Sequence, residues 1–393
     1  MLKSKVENIA EILYGATLLL VTSAISIGFL GIDSQNSYYK LSFAFLVIWI
    51  FVELAINKKI DLRLDSICGI VMIGICIILV VFESLVKENN GLLPLQGLTF
   101  LACLLCGLIC IIKKEWTIIT LLFFQIITIG GAAIFLYAFF SVPTYWSTTQ
   151  SRTISSFNPQ GVGTWAFLFY VSLIMTLDMH IDLLKKKIII VLVVAVTILY
   201  AYILIKASAR GATVVLGMFA ILRLLPIIKI SRSKAWAVII SFFPMLTTYI
   251  SIFMYNKGWL ISQGRSFLDG REMLWEFYLE DARRLLLFGN ERIDNSFYSH
   301  NIYVDQFYEY GIIFAFLFML CNYCILRHVI YLWNINEKLQ RYMYDGYIAF
   351  CGAVVLSALE GMVFSTGFGG AYFFVYSFIF IACYRENNIS KKG

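Results

Sequence analysis

The sequence predicts an all-α polytopic membrane protein, with about twelve transmembrane helices and a large extracytoplasmic loop between the ninth and tenth. Three observations predict it. The AVILMFWYC set supplies 60% of the 393 residues and charged residues only 14%, against about 45–50% and about 25% in soluble domains. Mean hydropathy is +0.82, and a water-facing fold cannot bury so many apolar side chains. With Pro at 5 residues and no period in the glycines, disorder and fibrous repeats are excluded too.

A membrane helix needs about 20 mostly apolar residues. The segments that qualify are 9–31, 41–57, 66–86, 92–112, 116–140, 161–181, 188–207, 211–230, 235–255, 311–333, 345–364 and 367–384. The first is too long for a signal peptide and lacks its small-residue cleavage site, so it is expected to be a retained span. All twelve belong to one integral membrane domain, 1–393, in which 256–310 is a loop subregion. With the N-terminus inside, 20 of the 31 Lys and Arg fall on the inner side. Six of the 11 outside lie in the long loop, and long loops escape the positive-inside rule, so the comparison is 20 against 5. Both termini are expected in the cytoplasm.

The net charge of +7 is therefore mostly the orientation signal. No basic patch interleaved with aromatics suggests a nucleic-acid face. Of the nine cysteines, Cys103, Cys106 and Cys110 share one predicted span, and Cys321 and Cys324 another. Within hydrocarbon this spacing reads as small-residue packing, because a thiolate site needs polar surroundings. No cysteine falls in an outer loop, so no extracytoplasmic disulfide is expected. Asp178, His180 and Asp182 look like a metal trio but read as a solvated cap at the cytoplasmic end of a span, and no metal site is expected.

Two outer segments stand apart: Ser141 to Gly163, rich in Ser, Thr and aromatics, and Asn256 to Tyr310, the longest polar stretch. The chain carries neither a Walker loop nor a D-x-D motif. Chemistry is thus expected on the outer face and without a nucleotide.

A helix is expected in the long loop from Gly270 to Leu287, with Leu274, Tyr278, Ala282 and Leu285 on one face and Glu272, Glu276, Glu280 and Arg283 on the other. Arg271 falls on the apolar face, beside the positive end of the helix dipole. A bound anion would relieve both conflicts, since exposed N–H groups and a guanidinium make a phosphate site. The alternative is an arginine that snorkels to water or pairs with an acid. Arg210 repeats the arrangement, opening a helix after Lys206-Ala207-Ser208-Ala209 at the outer surface.

The third feature is Ser299-His300-Asn301, just before the tenth span. With a helix beginning near Ile302, His300, Val304, Phe307 or Tyr308, and Gly311 share a stripe. A histidine at a helix N-terminus tends to stay neutral and able to accept a proton; the alternative is a structural histidine. Gly311 would let a neighbouring backbone or lipid come close.

His300-Asn301, nine residues and then Gly311, preceded by Glu309, resembles the H-[NSQ]-x9-G signature of the O-antigen ligase and polymerase (Wzy-type) superfamily. Arg271-x-x-x-Trp275 looks like that family's arginine before the loop helix, and Ala209-Arg210-Gly211 is similar to its small-Arg-Gly motif. Phe157-Asn158-Pro159 with Gln160 resembles its Asn-Pro-Asn loop and departs at the last position. Phe314 departs where the ligase signature prefers a small residue or Tyr.

The resemblance implies a polysaccharide polymerase of a bacterial cell membrane, acting on its extracytoplasmic face in capsule, exopolysaccharide or O-antigen synthesis. Such an enzyme transfers an undecaprenyl-pyrophosphate-linked glycan to a sugar hydroxyl of another lipid-linked unit, with no cofactor. Its partners would be that donor and acceptor, the bilayer, and a chain-length regulator and flippase of the same pathway, with no nucleic acid. Arg210 and Arg271 would steady the pyrophosphate leaving group and His300 would act as base. Arg265, Asn301, Asn158 and Glu360 are the substrate-binding candidates, Glu360, at the outer end of the eleventh span, either as the acid that orders the site or as the partner of a structural arginine. Two other readings stand beside this one. A ligase would pass the glycan to another acceptor. A lipid-linked oligosaccharide flippase would usually show two related halves and charges near the midplane, and the sequence shows neither.

Overall fold

The computed structural model describes residues 2–29, 35–56, 64–86, 105, 118–141, 159–179, 186–207, 209–224, 233–259, 261–262, 265–266, 270–282, 287, 289–290, 299, 301–335 and 340–359. The helices among them are α1 (Leu2–Phe29), α2 (Gln35–Ile56), α3 (Leu64–Val86), α4 (Ile118–Ser141), α5 (Pro159–Met179), α6 (Lys186–Lys206), α7 (Arg210–Leu224), α8 (Ser233–Asn256), α9 (Arg271–Ala282), α10 (Ile302–Ile335) and α11 (Gln340–Leu359). Two-residue strands, β1 (Ile261–Ser262) and β2 (Arg265–Ser266), pair antiparallel with Ser262 opposite Arg265.

Long apolar runs become helices because hydrocarbon offers no other partner to a backbone N–H or C=O. Leu122–Ser141, Lys187–Lys206, Lys234–Asn256 and Ile302–Arg327 are long and apolar enough to cross a membrane. Shorter apolar stretches lie in α2, α3, α5 and α11. Ten of the twelve expected spans fall on described helices, while 367–384 and all of 92–112 but residue 105 lie outside the described residues. The described part of α7 has 15 residues, short of the roughly 20 a crossing takes. Apart from the short β1–β2 pair the elements among the described residues are all helices, and four of them are long and apolar enough to span a bilayer.

Burial sorts the helices. From Val162 to Thr176 α5 is enclosed on nearly every side, packed by α4, α6, α7 and α11. By contrast, α6 and α8 turn Ile, Val, Leu, Phe and Tyr side chains outward, the pattern of helices whose outer face meets lipid. α10 is the hub on the other side, packed by α3, α8, α9 and α11.

Two interactions fix which helix ends lie together. Tyr344 Oη donates to Leu222 O at 3.0 Å, and Arg223 Nε lies 3.6 Å from Asp345 Oδ2. They join the C-terminal end of α7 to the N-terminal end of α11. The start of α7 is therefore at the opposite end of the bundle, with the end of α11. Because α10 and α11 pack together across residues 336–339 only, they run antiparallel, which brings the start of α10 to that end as well. There α9 packs against both α8 and α10; we call it the loop end.

α10 is two helices in succession. Gly311 has φ 83° and ψ 178°, a non-helical conformation open only to glycine at little cost. The first part, Ile302 to Tyr310, is a loop-end element; the second continues into the bundle.

Candidate functional site

The site assembles around the turn that precedes α10. Asn301 is its N-cap: Oδ1 accepts from the N–H of Tyr303 at 3.0 Å and of Val304 at 3.4 Å, and its carbonyl accepts from Asp305 N at 2.9 Å. Its Nδ2 donates to Thr248 Oγ1 of α8 at 2.7 Å, and Thr248 donates in turn to the carbonyl of Pro244 at 2.8 Å. Thr248, one turn after Pro244, bonds back to that residue's carbonyl in the i−4 pattern common to helical threonines. One side of the turn is thereby tied to α8.

The other side is tied to α9 and to α10 itself. Trp275 Nε1 donates to Ser299 O at 2.7 Å, and Ser299 N donates to Asp305 Oδ1 at 3.1 Å. Ser299 Oγ donates to Asn301 O at 2.9 Å and accepts from Asn301 N at 3.0 Å. Ser299 and Asn301 are both fully buried. Ser299 and Asn301 are thus each held in place; His300 lies outside the described residues. Beneath the turn, Ile252, Trp275, Tyr278, Ala282, Val304 and Tyr308 form an apolar cluster separate from the main core.

The break at Gly311 shapes the rest. In a continuous helix the Tyr308 carbonyl would accept from residue 312; here it accepts from Asn290 N at 2.7 Å. Asn290 Nδ2 donates to Asp281 O at 3.0 Å, and Tyr308 Oη donates to Asp281 Oδ2 at 2.9 Å. The preceding Gly289 has φ 74°, and a Cβ there would fall 2.3 Å from Glu309 O. The Tyr308 carbonyl released at one glycine is thus taken by Asn290, which only another glycine, Gly289, lets so close.

Both arginines open helices, as expected. Arg210 is the first residue of α7 and is exposed; Ala209 is the N-cap, its carbonyl accepting from Thr213 N at 3.0 Å and Thr213 Oγ1 at 2.8 Å. Arg271 is the first residue of α9 and half-buried, after Gly270 with φ 86°, whose carbonyl accepts from Leu274 N at 3.3 Å. Neither Ala209 nor Gly270 has a side-chain oxygen, so neither helix receives an N-cap side chain from that residue. Residue 163 of α5 must be glycine, because a Cβ would lie 2.7 Å from Ala209 Cβ and 2.9 Å from Ala212 Cβ. The start of α5 is thereby pressed against the turn that carries Arg210.

The structure corrects one face of α9. Glu272 is fully buried with Trp275, Tyr278 and Ala282, while Met273 and Phe277 are exposed. The bond from Trp275 to Ser299 sets this rotation and carries Glu272 inward. Asn301, read as a substrate contact, is fully buried, with Oδ1 on the helix cap and Nδ2 donating to Thr248. Arg265 has its backbone in β2, opposite Ser262. Asn158 and Glu360 lie outside the described residues, as do His180 and Asp182. Reading the sequence alone missed Thr248, Asp305, Asp281 and Gly289; only the Thr four residues after Pro244 leaves a recognisable signal. Cys321 hydrogen-bonds Cys76 of α3, with Cys324 nearby, and among the described residues no group of three His, Cys, Asp or Glu side chains could hold a metal.

Comparison with family models, with curated proteins and with solved structures finds no match to this chain.

Proposed function

We propose that the chain is a polysaccharide polymerase of a bacterial cell membrane, and that its loop end faces away from the cytoplasm. It joins an undecaprenyl-pyrophosphate-linked glycan to a sugar hydroxyl of a second lipid-linked unit. The observation that carries this reading is the pair of helix starts at Arg210 and Arg271. Each arginine opens a helix at the positive end of its dipole, after a cap residue with no side-chain oxygen, and both helix starts share one end of the bundle with the held residues Ser299 and Asn301.

In the reaction the acceptor hydroxyl oxygen attacks the anomeric carbon of the donor. The bond from that carbon to the pyrophosphate oxygen breaks, and undecaprenyl pyrophosphate leaves with the bonding electrons. His300 takes the hydroxyl proton, and Arg210 and Arg271 balance the charge that grows on the leaving group. The bonds of Trp275 and Thr248 to Ser299 and Asn301 hold the residues on either side of His300. Arg265, Asn158 and Glu360 are the further contacts proposed for the substrates. Support also comes from the run of residues shared with the Wzy-type signature, which includes Gly311.

The test is purified protein in membranes supplied with a lipid-linked repeat unit and no nucleotide. Longer glycans and free undecaprenyl pyrophosphate, still formed in EDTA, are the expected result. Substrate that only changes leaflet and is never consumed would identify a flippase. Glycan passed only to an unrelated acceptor would identify a ligase.

A further inference from the structure

We propose that the C-terminal cap of α8 and the first two turns of α9 form an anchor at the membrane–water interface, whose partner is the phospholipid surface itself. α8 carries a stripe of exposed apolar side chains, Ile239, Phe243, Leu246, Ile250 and Phe253, at three- and four-residue spacing. On a helix able to cross a membrane, this stripe is the lipid-facing side.

The stripe continues past the end of the helix. Gly258 N donates to Tyr255 O at 2.8 Å and Trp259 N to Met254 O at 3.0 Å, the paired bonds of a Schellman cap, with Gly258 at φ 74°. The reversal folds Trp259 back over Phe253, edge to face with centroids 6.4 Å apart, yet leaves the indole 69% exposed. Lys257 Nζ stands 5.8 Å from the same Phe253 ring. A tryptophan and a lysine at the end of a lipid-facing stripe are the residue types that settle at headgroup level.

α9 joins the chain at this point. Asn256 Nδ2 donates to Glu276 Oε1 at 2.7 Å, and beside Glu276 the exposed side chains are Met273 and Phe277, one turn apart. Glu280, one further turn along, is also exposed, which marks where the apolar strip ends and the helix rises into water. A second copy of the chain would also cover Met273 and Phe277. Continuity with the α8 stripe favours lipid, because on a helix long and apolar enough to cross a membrane an exposed apolar stripe faces the bilayer. Anchoring would keep β2 and the start of α9, and so Arg265 and Arg271, at headgroup depth. That last consequence, unlike the anchor, rests on the proposed function.

The experiment uses the full chain in lipid nanodiscs. Nitroxide labels are placed by Trp259→Cys, Met273→Cys, Phe277→Cys and Glu280→Cys in a background without other cysteines, and collisions with oxygen and with a water-soluble nickel chelate are compared. Labels at 259, 273 and 277 should favour oxygen and the label at 280 should favour nickel. Nickel access at 273 and 277 equal to that at 280 overturns the proposal. Spin–spin broadening at 273 that grows with protein-to-disc ratio overturns it in favour of a second copy. Should the cysteine-free background fail to fold, Trp259→Phe in the otherwise unaltered chain serves instead. The fluorescence lost with Trp259 should be quenched more by lipids brominated near the headgroup than near the chain terminus; equal or absent quenching refutes the anchor. Neither readout depends on glycan transfer.

Discussion

Two glycines with the same backbone angle offer a controlled test of how the loop end is held. Gly258 and Gly289 both sit at φ 74°, but a Cβ on Gly258 would meet nothing within 4 Å. On Gly289 it would meet backbone alone: Glu309 O at 2.3 Å, Glu309 C at 2.4 Å and Tyr310 N at 2.6 Å. Gly258→Ala should therefore cost only the left-handed strain of an L-residue, about 1–2 kcal/mol. Gly289→Ala adds an overlap that no side-chain rotation can relieve, about 1–3 kcal/mol more from overpacking, for a total of about 2–5 kcal/mol. The loss should be local, because what moves is the 289–290 segment and with it the bond from Asn290 N to Tyr308 O. Thermal unfolding in nanodiscs should show a clearly larger drop in midpoint for Gly289→Ala than for Gly258→Ala. Proteolysis of the native state should open the loop first in the former. Equal melting points and equal protease resistance would mean that the approach of Gly289 to Glu309 holds nothing, and the account of the Gly311 break would fail with it.

Arg210→Lys keeps the charge but not the planar fork suited to a pyrophosphate, and Arg271→Ala loses both, so each should lower kcat/KM for glycan extension while leaving expression unchanged. His300→Ala should leave binding of the lipid donor intact and reduce turnover by about 10²–10⁴-fold, the usual share of a general base; normal turnover at saturating acceptor would make His300 structural. Asn301→Ala removes a helix cap worth about 0.5–2 kcal/mol, and should lower both the melting point and turnover, with Thr248→Val giving a milder form of the same defect. Cysteines introduced at 262 and 287 should react with an impermeant thiol reagent in intact cells, and labelling of 182–187 in their place would invert the proposed orientation.

The helix starts were legible because their signals are local. Arg210 and Arg271 each follow a small residue at the edge of a periodic run, and Asn301 stands immediately before Ile302, where α10 begins. The interruption at Gly311 was not legible as such. A lone glycine in an apolar run is usually absorbed by a helix, and here the decision depends on Asn290 arriving from elsewhere in the chain to take the Tyr308 carbonyl. The burial of Glu272 was hidden for a similar reason. Periodicity put it with Glu276 and Glu280, but the helix is turned by the reach of Trp275 to Ser299, a partner 24 residues away. Thr248, Asp305 and Asp281 matter only through such distant partners, so composition and spacing could not single them out.

The interruption at Gly311 also separates two kinds of change that a continuous helix would couple. In an unbroken α-helix one inserted residue turns everything beyond it by about 100°, so lengthening the segment before residue 311 would swing the faces of the buried part away from α3, α8 and α11. With the hydrogen-bond ladder cut, that rotation can be absorbed at the joint. The stretch from Ile302 to Tyr310 can then vary in length or tilt to suit what docks against it, while Phe314, Phe318 and Cys321 keep their places in the core.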